Sequence, residues 1–139
     1  MTADNLKTLK GVVDKLLVEA SEAQKIAETS LIGLEELNAK IVEIISAVLK
    51  VFGTRSYSFS VVKYPVRLFR TIGGRIVYFI YFTDKCIFCS SNPYLTLKYP
   101  KTIASILSLA VDRAKRRAEW LRSGLERARS VLGSVVDKS

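Results

Sequence analysis

Apolar positions recur along the first third of the chain at alternating spacings of three and four, from Leu6, Leu9, Val13 and Leu16 through Ala20, Ala23, Ala27 and Ser30 to Leu34, Leu37, Ile41, Ile44, Val48 and Val51. Only Ser30 is polar. An a/d ladder this regular predicts a long helix over 5–52 that buries one stripe against another helix. At about 1.5 Å per residue it measures roughly 70 Å. Asp4 or Asn5 can cap its start, and Gly53, just after Lys50, stops it. Val12, Leu17, Ile26, Leu31 and Ile45 add apolar e and g positions, a stripe wide enough for a bundle rather than a two-stranded coil.

After Gly53 the period changes from heptad to alternation. Tyr57, Phe59 and Val61 alternate with Ser58 and Ser60, the mark of a half-buried strand. Val66–Ile72 reads as a second strand and 75–82 as a third, joined by Gly73-Gly74, a two-residue hairpin signal because both glycines accept positive φ. Thr83-Asp84-Lys85 turns the chain into a short strand, Cys86–Cys89, and Ser90-Ser91-Asn92-Pro93 turns it again into Tyr94–Tyr99. The third strand is apolar on both faces, so it is expected at the centre of the sheet and covered on both sides. Pro100 suits the first turn of a last helix over 100–136, with Ile103, Leu107, Ala110, Ala114, Ala118, Leu121 and Leu125 on its buried line. The expected fold is α+β: helix 5–52, an antiparallel meander of four to five strands over 55–99, and helix 100–136, forming one domain over 1–139.

Charge changes the picture because it is unevenly spread. The chain carries +9 in total, yet residues 1–52 hold six Lys against eight carboxylates. Residues 53–100 hold seven basic residues against Asp84 alone, and residues 101–139 nine against four. An acidic helix followed by a basic sheet and a basic helix fits either internal complementation within an assembly or an anionic partner. The absence of His, with one Met, one Gln and abundant Lys, Arg, Ile and Val, resembles the composition of hyperthermophile proteins. The N-terminus is polar and amphipathic, and the longest uncharged helical run, Thr102–Val111, falls well short of the ~20 residues of a membrane span. A cytoplasmic protein without a membrane segment is expected.

Candidate chemistry is sparse. On the last helix Arg113, Arg116, Trp120 and Arg127 share a line roughly 120° from the buried one at 100° per residue. With Lys115, Arg117 and Arg122 nearby, that line can grip phosphates through guanidinium groups and stack or anchor through the indole. The alternative has the arginines paired with Asp112, Glu119 and Glu126 one turn away and Trp120 packed in an oligomer. The sheet offers Arg55, Lys63, Arg67, Arg70, Arg75, Lys85 and Lys98 among Tyr57, Phe59, Tyr64, Phe69, Tyr78 and Tyr81. These residues can stack bases and neutralise phosphates, or they can be core aromatics beside edge cations that block aggregation.

Cys86 and Cys89 have the spacing of a zinc knuckle or redox pair, but four-coordinate zinc needs two more ligands and the chain holds no other Cys and no His. Structural thiols are expected, with a disulfide or an intersubunit Cys₄ site as the alternatives. Acid–base and triad chemistry lack their usual histidine, and no nucleotide-binding loop is present. The sequence therefore points to a non-catalytic homo-oligomer associated with DNA or RNA through basic helix and sheet surfaces, at Arg113, Lys115, Arg116, Arg117, Trp120 and Arg127. No cofactor, metal or small-molecule substrate is expected. The rival is a structural or protein-interaction subunit, a complex scaffold or viral component assembled through its long helices without nucleic acid.

Overall fold

A computed structural model describes residues 2–136. The order of elements is α1 (Ala3–Phe52), β1 (Ser56–Val61), β2 (Tyr64–Arg70), β3 (Tyr78–Phe82), β4 (Lys85–Cys89), α2 (Leu95–Lys98) and α3 (Pro100–Val136). The α+β class, the long N-terminal helix, the four-stranded antiparallel sheet and the long C-terminal helix are as the sequence pattern implies.

α1 begins two residues earlier than expected, because Thr2 caps it. Asn5 N–H donates to Thr2 Oγ1 (3.3 Å) and Leu6 N–H to the Thr2 carbonyl (3.2 Å). Its C-terminus closes as a Schellman motif. Gly53 takes φ +63° and its N–H donates to the Lys50 carbonyl (3.1 Å), while Thr54 N–H reaches the Leu49 carbonyl (3.0 Å). Only a residue without Cβ takes that φ without strain.

Residues up to Leu37 and residues from Asn38 onward form two compact units. The first is helical, with Leu34 buried and Leu6, Leu9, Val13, Leu16 and Ile26 exposed.

The second unit contains the core. Its sheet is a meander in the order β1-β2-β3-β4. Tyr57 pairs with Leu68, Phe59 with Val66, Leu68 with Ile80 and Ile80 with Phe88. These core-facing residues pack with Ile41, Ile45, Val48 and Leu49 of α1 and with Ile103, Ile106, Leu107, Ala110 and Ala114 of α3. The covered positions of α1 here are Ile41, Ile45, Val48 and Leu49, with Phe52 half-buried. These are a, e and b positions rather than a and d, so the covered face is turned away from the a/d seam.

Two turns differ from expectation. Gly73 and Gly74 do take positive φ (73° and 56°), but within a longer loop, because β2 ends at Arg70 and β3 begins only at Tyr78. Thr71 closes that loop: its N–H donates to the Val77 carbonyl (3.0 Å) and its Oγ1 accepts from Val77 N–H (2.9 Å). The expected strand Tyr94–Tyr99 is instead a turn leading into α2, with N–H groups of Leu95, Thr96 and Leu97 donating three residues back to Asn92, Pro93 and Tyr94. Short i→i−3 bonds of this kind follow a proline, whose fixed φ starts a turn more readily than a ladder.

Thr83 and Asp84 (φ 48° and 63°) make the two-residue turn between β3 and β4. α3 starts at Pro100, as expected.

Candidate nucleic-acid interface

All six residues singled out on α3, Arg113, Lys115, Arg116, Arg117, Trp120 and Arg127, are exposed. Trp120 shows 57% of its surface. The Arg113 guanidinium lies 5.5 Å from the Phe59 ring centroid, and that of Arg117 lies 4.5 Å from the Trp120 ring. Both are cation–π distances and hold the two arginines on one flank with the indole. Lys115 is elsewhere. It lines an apolar groove of about 230 Å³ with Ile44, Ala47, Val51, Val111 and Ala118, to which it contributes its aliphatic stem. The helix face therefore divides: Arg113, Arg116, Arg117, Trp120 and Arg127 form one flank and Lys115 belongs to the other. Among the described residues no Lys or Arg nitrogen lies within 4.0 Å of a carboxylate oxygen.

The sheet brings together a second group. Residues alternating with the core-facing set point to the opposite face and form two rungs across all four strands. One rung is Ser58–Arg67–Tyr81–Cys86 and the other Ser56–Phe69–Phe79–Cys89. A register irregularity between Ile80 and Tyr81 puts both cysteines opposite outer-face residues although they are three apart.

The rings pack on one another. Phe69 stacks on Phe79 at 4.8 Å with 13° between planes, and Tyr81 meets Phe69 edge-on at 5.0 Å. The Arg67 guanidinium sits 4.1 Å from the Phe69 centroid and 5.7 Å from that of Tyr81. Phe69, Phe79 and Tyr81 are half-buried, Arg67 is exposed, and none of the four belongs to the core cluster.

Two hollows border the sheet, the first beside these rungs and the second between the sheet and the end of α1. One, of about 370 Å³, is lined by Ser58, Ser60, Pro65, Arg67, Tyr81 and Asp84. The other, of about 800 Å³, is lined by Lys50, Arg55 and Arg70 with Ser46, Thr54, Ser56 and Tyr78, and no carboxylate is in its lining. Three cations around one space create a field that favours an anion. Arg55 and Arg70 are brought together by the ladder, since Arg70 N–H donates to the Arg55 carbonyl (3.0 Å). Lys50 had its signal as the cation closing α1, but only the fold reveals that it faces the two arginines. Phe79 could have been found from parity alone, as it shares an alternation phase with Tyr81.

Two titrating groups border the sheet. Burial, and secondarily the neighbouring Cys89, push the Cys86 thiol above its ordinary range. Cys86 and Cys89 are free thiols, and Cys86 Sγ donates to the Phe88 carbonyl (3.3 Å). Hydrogen bonding to Lys85 holds the Tyr99 phenol below its ordinary range. Among the described residues no helix is long and apolar enough to cross a membrane, and no group of three or more His, Cys, Asp or Glu is placed to hold a metal ion. No protein-family model, no curated protein and no solved structure matches the chain, so the site's own chemistry carries the functional argument.

Proposed function

We propose that the protein is a non-catalytic, homo-oligomeric nucleic-acid-associated protein that engages DNA or RNA through its basic helix and sheet surfaces. The observation that carries this reading is the state of the α3 arginines. Arg113, Arg116, Arg117 and Arg127 face solvent beside Trp120, and among the described residues none has a carboxylate within 4.0 Å. A scaffold built on charge complementation would tie such cations into local pairs. A phosphate-binding surface leaves their donors free for bidentate contacts. The basic hollow at Lys50, Arg55 and Arg70 supports the same reading.

Assembly is supported by the apolar seam of α1. Leu6, Leu9, Leu16 and Leu17 each expose more than half of their surface, and a helix of this length draws most of its stability from burying such a stripe. A second copy offers the matching a/d surface.

The test is fluorescence anisotropy with labelled duplex and single-stranded DNA and RNA at ~50 and ~200 mM salt. Binding should fall steeply with salt and show little dependence on sequence. Arg113→Ala with Arg116→Ala should weaken binding and lower the salt slope on duplex by about 2, one unit for each lost phosphate contact. Absence of binding at ~50 mM salt, or a double variant that binds as the parent does, rejects the α3 surface. The protein-interaction subunit would then be the better reading.

A further inference from the structure

We infer that the first half of α1 in one copy docks on the apolar seam of α3 in a second copy, acidic helix against basic helix. This rests on the homo-oligomeric part of the reading above and names which segment covers which.

Two apolar stripes lie uncovered, one in each unit. On α1 the stripe runs through Leu6, Leu9, Val13 and Leu16 to Leu31, all exposed. On α3 it runs through Leu121, Leu125 and Leu132 to Val135, also exposed. The α3 stripe begins in the groove of about 230 Å³, where Val111, Ala114 and Ala118 face Ile44, Ala47 and Val51. An apolar hollow between two helices, lined largely by small side chains, is the shape that takes the knobs of a third helix. The stripes also match in length. From Leu6 to Leu31 and from Val111 to Val135, at about 1.5 Å per residue, each is roughly 37 Å long.

Charge selects among the ways of pairing them. With Ala118, Leu125 and Leu132 at a and Leu121, Ala128 and Val135 at d, position e of α3 is Lys115, Arg122 and Arg129. Every heptad thus carries a cation on the same edge of the stripe, and charges at that edge set partner choice in paired helices. All three are exposed, and Lys115 already borders the groove. Over 100–136, α3 holds eight basic side chains against three carboxylates. Up to Leu37, α1 holds seven carboxylates against four lysines. Its e and g positions are partly apolar, so the edges of its stripe fall at b and c, where Asp14, Glu22, Glu28, Glu35 and Glu36 outnumber Lys7 and Lys15. Among the described residues none of these charges has an opposite one within 4.0 Å. Pairing two α1 segments sets net −3 against −3, and pairing two α3 segments sets +5 against +5. Only α1 on α3 of another copy sets −3 against +5, the arrangement that attracts.

The docked helix leaves the nucleic-acid surface open. Arg113, Trp120 and Arg127 are at c and Arg116 at f, across the stripe from the edge of Lys115, Arg122 and Arg129. One flank of α3 thus serves assembly and the other remains in solvent.

The experiment is charge reversal in the full chain. One variant carries Lys115→Glu, Arg122→Glu and Arg129→Glu, and the other Glu22→Lys, Glu28→Lys and Glu36→Lys. Sedimentation equilibrium at ~50 mM salt should show each variant associating about three- to a hundredfold more weakly than the parent, the range of three surface charge contacts. An equimolar mixture should recover the parent's association, because each α1 then meets an α3 of opposite sign. The losses should shrink at ~1 M salt, where such contacts are screened.

An α3 variant that associates as the parent does assigns the seam of α1 to another α1 and overturns the pairing, while the assembly stands. An α1 variant that associates as the parent does, or a mixture no stronger than its components, overturns it as well. A parent that does not associate overturns both. Should a variant not fold, carbodiimide crosslinking of mixed isotope-labelled and unlabelled parent decides, since it joins an ammonium to a carboxylate in direct contact. Mixed-isotope adducts of Lys115 with carboxylates of α1 before Leu37 support the pairing. Mixed-isotope adducts between two α1 segments alone, or none at all, overturn it.

Discussion

One heptad repeat runs through α1, and its two halves meet different environments. From Ile41 onward the helix is covered: Ile41, Ile45, Val48 and Leu49 are at most 5% exposed. Over the first unit the same spacing leaves Leu6, Leu9, Val13 and Leu16 between 45% and 58% exposed. α3 repeats the contrast, with Ile103, Leu107, Ala110 and Ala114 buried while Leu121, Leu125 and Leu132 are exposed on the same line. An apolar stripe thus states that a helix face wants cover, and says nothing about who supplies it. Where the chain's own sheet supplies it, the covered line shifts to a, b and e positions. Where the chain supplies nothing, the a/d stripe remains available to a second copy.

The strongest way to break this comparison is to place one charge on either side of the divide. Ile41 is 5% exposed and Leu37, four residues earlier, 47%. Ile41→Lys buries an unpaired ammonium in the core and should cost about 3–5 kcal/mol, the scale of an uncompensated buried charge. Chemical denaturation reads this as a collapse of the unfolding midpoint. Ile80→Ala, at the centre of the sheet, should cost about 2–5 kcal/mol through the cavity it leaves.

Leu16→Lys with Leu37→Lys should behave differently. The unfolding midpoint at high dilution should move by no more than about 0.5 kcal/mol, as for other surface positions. Light scattering should show loss of the oligomer. Unfolding by Leu37→Lys, or an association state indifferent to both charges, would erase the distinction between the halves.

The long elements were legible because each carries many repeats of one period. The heptad ladder and Pro100 fix α1 and α3 to within two residues, and alternation fixes β1, while β2 runs Tyr64–Arg70, two residues ahead of the expected Val66–Ile72. Legibility ends where a few atoms decide. Gly73-Gly74 has the residues for a tight hairpin, yet the Thr71 hydroxyl and backbone claim Val77 first and widen the loop. Tyr94–Tyr99 has apolar residues for a strand, but Pro93 starts a turn.

Of the candidate site, the arginine line of α3 follows from helical angle alone, and so does the separation of Lys115, which lies on the other side of the buried stripe. The outer aromatic block needed register. A strand rich in aromatics on both faces does not reveal which ring meets which, and the convergence of Lys50 with Arg55 and Arg70 joins the end of a helix to a ladder that no local pattern connects.

The smallest effect expected concerns Cys86, which reports on how well β4 is covered. Its thiol is pushed up first by burial and then by Cys89. A raised thiol holds less thiolate at a given pH, and the thiolate is the nucleophile. Alkylation of Cys86 at pH 8, followed by mass spectrometry of the labelled peptide, should therefore be slower than that of an unhindered thiol in a peptide. Its rate should still be climbing where the free thiol has levelled off. Cys89→Ser removes the neighbouring charge and leaves the burial, so the profile should move toward lower pH by only part of the difference. A profile that returns fully to that of the peptide would make the neighbour, not burial, the cause. The same rate measured across protein concentrations tests the uncovered state of the outer face. If that face is free in the assembled protein, the rate is independent of concentration. If it slows with concentration alone, the face is covered by a second copy, and the contrast drawn for the helices extends to the sheet.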